Sequence, residues 1–178
     1  HKPPMTVALR DYQEQALADV RSAMRRHRRV LLQAPTGAGK TVIFAELSRR
    51  VSLRGRRVCI LVHRRELLRQ TCAKLDDAGV AHATIEASSK AVSRATVSVA
   101  SVQTLARRLE HYAGAFDLIV VDEAHHAVAG QWRTITDAYP AAYVLGVTAT
   151  PSRLDGRGLG DAFASLIIGP APRELIAA

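Results

Sequence analysis

From residue 11 onward, apolar side chains recur first every three or four positions and then in short unbroken runs. Tyr12, Ala16, Val20 and Met24, with Leu17 alongside, mark one face of a helix over 11–27. Runs without polar alternation follow at 30–33, 58–63, 96–100, 118–121 and 143–148, the pattern of strands buried on both faces. Helical spacing returns between most of them, at 41–53, 66–78 and 101–109, and Gly79 is placed to stop the second of these. Residues 83–87 and the stretch "LIIGP" read as further short strands. Past Pro151 the pattern weakens into the Gly-rich "SRLDGRGLGD", and "RELIAA" reads as the start of an element cut short. Short apolar strands alternating with helices predict an α/β fold, a mostly parallel sheet sandwiched between helices. Ligands in such sheets bind beyond the carboxyl ends of the strands. The chemistry is therefore expected where each strand stops.

Composition narrows the class. A chain of 178 residues, 48% of them hydrophobic, can bury a full core and is most simply one domain. No apolar run approaches the ~20 residues that span a bilayer, so no membrane partner is expected, and no signal peptide is visible. The residues His1-Lys2-Pro3-Pro4 ahead of Met5 read as an addition. Cys59 lies in the strand-like "VCILV" and Cys72 in a helical pattern, so both are expected to be reduced core thiols in a cytoplasmic protein. The net charge of +9 and a pI near 10.4 suggest a polyanionic partner. The densest cluster is "RSAMRRHRR" at 21–29; charge alone leaves a nucleic-acid surface and a solvated helix face both open.

The stretch "QAPTGAGKTVIFAEL" crowds turn residues between a strand run and a helix. Gly37 and Gly39 let the backbone curl so that successive N–H groups of Thr36, Gly37, Ala38 and Gly39 face an anion, with Pro35 opening the loop, and the helix N-terminus adds its dipole. Lys40 would reach the β- and γ-phosphates of ATP, and Thr41 would hold Mg²⁺. Ala34 stands where the phosphate-loop pattern has its first Gly. Further on, "FDLIVVDEAHH" delivers Asp122 and Glu123 to a strand tip. Asp122 can hold Mg²⁺, directly or through water, and Glu123 can polarise the water that attacks the γ-phosphate. His125 and His126 are adjacent, so they do not share a direction, and no zinc spacing accompanies them.

Residues 34–41, the Asp122-Glu123-Ala124-His125 run and Thr148-Ala149-Thr150 resemble motifs I, II and III of superfamily 2 helicases and translocases, in order and in spacing, over nearly the whole chain. The resemblance implies a RecA-like P-loop domain, the first of two such lobes. It implies that His125, Thr148 and Thr150 couple the nucleotide's state to the rest of the lobe. "LRDYQ" resembles the Q-motif region, in which Gln13 would read adenine with Arg10 nearby. "HRREL" falls where motif Ia lies and "SVQTL" where motifs Ib and Ic lie, which makes Arg64, Arg65, Ser101, Gln103 and Thr104 the candidate contacts to a nucleic-acid backbone.

His125 and "TAT" depart from DEAD-box RNA helicases, and motif Ia departs from DEAH-type ones. The whole set looks closest to the RadD-like and XPB-like branch, related to restriction-enzyme translocases, and so favours DNA over RNA. In the superfamily a second RecA-like lobe supplies arginine fingers. Arg157 follows motif III too closely to belong to one, so the chain reads as an N-terminal lobe that is nearly inactive alone. A nucleotide-dependent binding module without unwinding activity, and an RNA helicase lobe, stay open as alternatives.

Overall fold

The structure, a computed structural model, describes residues 11–34, 39–88, 95–124, 131–149, 163 and 165–168. Helix α1 (Asp11–Met24) opens on Asp11 and Glu14, which complement the positive end of its dipole. Strand β1 (Arg29–Gln33) leads to α2 (Lys40–Leu53), then β2 (Val58–Val62) and α3 (Arg65–Asp77). The chain continues through β3 (Ala83–Ile85), β4 (Val97–Ser101), α4 (Val102–Ala106), a 3-10 turn (Leu109–Tyr112) and β5 (Leu118–Asp122). Last come α5 (Gln131–Asp137), β6 (Tyr143–Thr148) and β7 (Ser165–Ile168). Gly79 stops α3 as expected. At φ 71° its N–H donates to Asp76 O and that of Val80 to Leu75 O, the paired bonds of a left-handed helix end.

The strands form one seven-stranded sheet in the order β3-β4-β2-β5-β6-β1-β7, and every pairing is parallel. Alternate residues of each strand feed two cores. Val30, Leu32, Ile60, Val120 and Val147 pack under α1, α2 and α3. Leu31, Cys59, Leu61, Ile119 and Val121 pack under α4, α5 and the 3-10 turn. This explains the unbroken apolar runs: both faces are dry.

Three expectations need correction. The helix expected at 101–109 is only the five residues of α4, because Ser101 ends β4 and caps the helix, and the chain tightens into the 3-10 turn beyond it. The first helix stops at Met24 rather than 27, in a turn where Arg25 and Arg26 donate to Ser22 O and Ala23 O. Helix α5 was not anticipated; it buries Trp132 and Ile135.

Candidate nucleotide site and nucleic-acid edge

Because all strands are parallel, the ends of β1, β2, β4, β5 and β6 gather on one edge. Strand β6 lies between β5 and β1 and pairs with both, Asp122 opposite Val147 and Gln33 opposite Thr148. The N–H of Ala34 donates to Thr148 O at 2.9 Å, which ties the start of the phosphate loop to the end of β6. The loop's last residue, Gly39, takes φ 76° as the N-cap of α2. Lys40 thus leaves from the first turn of the helix and reaches across β6 to the tip of β5.

There its Nζ lies 3.3 Å from Asp122 Oδ1 and in contact with Glu123 Oε1. The Lys40, Asp122 and Glu123 side chains are 14%, 14% and 21% exposed, so these charges are screened little by water. Asp122 Oδ1 is buried and makes no hydrogen bond among the described residues. Two carboxylates against one ammonium leave a net negative charge when all are ionised. An oxygen with a free lone pair in such a setting suits a hard divalent cation. Among the described residues no group of three or more His, Cys, Asp or Glu forms a metal cage. Thr41, the second residue of α2, is partly exposed at the same edge.

Glu123 itself has φ 54°, a left-handed conformation uncommon for a residue with a side chain. His63, just past β2, donates from Nε2 to Glu123 O at 2.9 Å; a carbonyl only accepts, so the proton sits on Nε2. His63 was not among the sequence candidates. Its signal was its place, the first residue beyond a buried strand in the segment that resembles motif Ia.

Gln13 is buried at 5% exposure, and its Nε2 donates to Gly39 O at 3.4 Å. The structure therefore brings Gln13, Gly39, Lys40, Asp122 and Glu123 together, with Thr148 fully buried beneath them. Arg10, Pro35, Thr36, Gly37, Ala38, His125 and Thr150 lie outside the described residues.

Farther along the edge, Arg64 and Arg65 are exposed, Arg64 as the N-cap of α3. Gln103 is exposed and Thr104 half-buried. A groove of about 600 Å³ between α3 and the β3–β4 end is lined by Arg65, Arg69, Thr84 and Thr104 among others. Ser101 differs from its neighbours. It is 1% exposed, its hydroxyl donates to Thr104 Oγ1 at 2.9 Å and accepts from Thr104 N at 3.2 Å. That hydroxyl is committed to capping α4 and is not free to meet a phosphate, which leaves Thr104, Gln103 and the arginines as the accessible candidates.

The family model of the type III restriction enzyme, res subunit, matches residues 6–153. The chain belongs to that family. A Saccharomyces cerevisiae protein named as an ATP-dependent helicase, IRC3, is 39% identical over 170 residues, covering 85% of this chain and 24% of that protein. The DNA 3'-5' translocase XPB2 of Sulfurisphaera tokodaii is 28% identical over 156 residues, covering 85% and 33%. This chain thus spans a quarter to a third of the length of these two relatives. Among solved structures, the UvsW helicase from bacteriophage T4 superposes with a TM-score of 0.73 at 20% identity, over 91% of this chain and 60% of that one, a likeness of fold. The res-subunit match, the fold and the ordered motifs make this the first RecA-like domain of a superfamily 2 motor, in the restriction-translocase and XPB-like branch. Proteins of this family use a nucleotide.

Proposed function

We propose that the lobe binds ATP with Mg²⁺ and forms half of the hydrolytic site of a DNA helicase or translocase. The observation that carries this reading is the convergence of Lys40 on Asp122 and Glu123 across β6, from segments about 80 residues apart in sequence. Mg²⁺, when bound, neutralises charge on the β- and γ-phosphates. Thr41 and Asp122 would hold it. Lys40 would exchange its carboxylate partners for phosphate oxygens, which frees Glu123 Oε1 to take a proton from the attacking water. His63 fixes the Glu123 backbone and so the direction of that carboxylate. Gln13 stands against Gly39, where it would read the adenine edge.

The half-site reading rests on charge. In related NTPases a finger arginine stabilises transition-state charge on the γ-phosphoryl group, worth ~10³–10⁵ in rate, and we assign that group to a second RecA-like domain of the same polypeptide. DNA is favoured over RNA by the motif pattern and by the likeness to the DNA translocase XPB2 of Sulfurisphaera tokodaii. Steady-state phosphate release tests the assignment. The isolated lobe should turn over very slowly, the added second lobe should raise turnover by orders of magnitude, and Glu123→Gln should abolish that gain while sparing binding. Fast DNA-stimulated turnover by these 178 residues alone would refute the half-site reading.

A further inference from the structure

The edge of the sheet opposite the nucleotide site carries a surface that the motor reading leaves unused. There α1 and α2 end, and β5 and β6 begin. Two adjoining grooves, of about 410 and 650 Å³, share Met24, Val51, Arg54 and Tyr143. Arg21, Arg25 and Arg50 line the first, Arg28 and Arg56 the second. The sequence shows one basic run at 21–29; folding adds Arg50, Arg54 and Arg56 from α2 and the turn after it. Arg50 is paired with Glu46 at 2.9 Å and faces Glu14 at 3.6 Å. Among the described residues no ion pair holds Arg21, Arg25, Arg28, Arg54 or Arg56. The acidic residue of the grooves, Asp117, accepts the Arg57 N–H at 2.9 Å.

One arginine near a helix end merely complements the dipole, but five guanidinium groups without a carboxylate partner around one pair of grooves, Arg28 among them although it also donates to Ala141 O at 2.5 Å, make a strongly positive surface that suits a polyanion. The surface also offers stacking. The Arg28 guanidinium lies 5.2 Å from the centroid of the Tyr143 ring. Tyr143 (38%) and Leu53 (72%) are the exposed large hydrophobic residues among those described. Guanidinium forks match phosphate oxygens, and an exposed ring gives an unpaired base a face to stack on. A duplex has no such base to offer, and an acidic peptide no repeating pair of charge and ring.

We propose that this face is a second docking surface, for the phosphate backbone and bases of single-stranded nucleic acid, separate from the edge that carries Arg64 and Arg65. It does not depend on the nucleotide site, and its test needs no nucleotide. Labelled oligothymidylate is titrated against the Arg64→Ala/Arg65→Ala protein, with and without Arg25→Glu/Arg54→Glu/Arg56→Glu. The background protein should retain binding and the charge reversal should cost at least about tenfold. The slope of log K against log salt should fall by about 2, three contacts at ~0.7 each. The set Arg25→Gln/Arg54→Gln/Arg56→Gln, which removes the charges without reversing them, should act in the same direction, and Tyr143→Ala should cost about fivefold or more. An unchanged affinity and slope on charge reversal would overturn the proposal, as would complete loss of binding in the background protein. Polyglutamate binding as tightly as oligothymidylate, with no effect of Tyr143→Ala, would also overturn it and make the face an acidic-protein surface.

Discussion

Gly39→Ala probes the joint between the phosphate loop and α1. A Cβ on Gly39 would overlap Gln13 Nε2 and lie 3.2 Å from its Cδ, so the buried amide must move. Moving it breaks the donation to Gly39 O, worth ~0.5–1.5 kcal/mol, with the low end fitting its 3.4 Å length. The residue must also hold φ 76°, which costs an L side chain roughly 1–2 kcal/mol. The sum is about 1.5–3.5 kcal/mol. It appears as lost stability if Ala keeps the native conformation, or as weaker nucleotide binding if the backbone relaxes away from it. Urea denaturation and calorimetric titration with Mg–ADP, read together, should therefore show a combined loss in that range. Gln13→Ala removes the clash but not the φ strain, so adding it to Gly39→Ala should cost less than it costs alone. A Gly39→Ala protein unchanged within about 0.5 kcal/mol in both assays, or strict additivity with Gln13→Ala, would refute the geometry at this joint.

His63→Ala should slow phosphate release by the assembled two-lobe enzyme more than it weakens nucleotide binding, since His63 holds the Glu123 backbone; a loss of affinity with normal turnover would contradict this. Trp132, the sole Trp, is 1% exposed and stacks on Phe163 at 5.4 Å, so its emission should shift to the red on unfolding. Trp132→Ala should cost ~3–5 kcal/mol in a denaturant titration followed by circular dichroism. Burial pushes the Cys59 thiol and the Tyr139 phenol above their ordinary ranges, so both stay neutral in the folded chain at pH values where the unfolded chain ionises them. Stability is then full below about pH 8.5 and falls above it, by up to ~1.4 kcal/mol per pH unit for each group titrating only in the unfolded state. A flat denaturation midpoint from pH 8 to about 10.5 would show that the two groups are not buried as described.

The strands were legible because each is a continuous apolar run, as strands of a parallel sheet covered on both faces must be. The same property hid their order: a run such as "VCILV" shows no polar face, so nothing in it says that Cys59 and Val58 feed different cores. The end of α3 was legible in Gly79, whose left-handed φ most residues avoid. Helix α5 was not, because two buried apolar residues, Trp132 and Ile135, in a seven-residue helix leave too short a period. The helix expected at 101–109 failed for a related reason: Ser101 faces inward at a strand end, which its residue type does not announce. Lys40, Asp122 and Glu123 could be named from their motifs. That Lys40 spans β6 to meet both carboxylates follows only from the sheet order. His63 as the support of Glu123 required the structure, since the two lie 60 residues apart.

The most direct test of the nucleotide site is calorimetric titration of the folded lobe with Mg–ATP, comparing the natural chain with Lys40→Ala. Lys40 meets the two carboxylates at the tip of β5 and is proposed to turn to the phosphates when ATP arrives. The natural chain should bind in a Mg²⁺-dependent manner, and Lys40→Ala should bind too weakly to measure while keeping its Trp132 emission and its denaturation transition. Equal affinity in the two proteins would contradict the site.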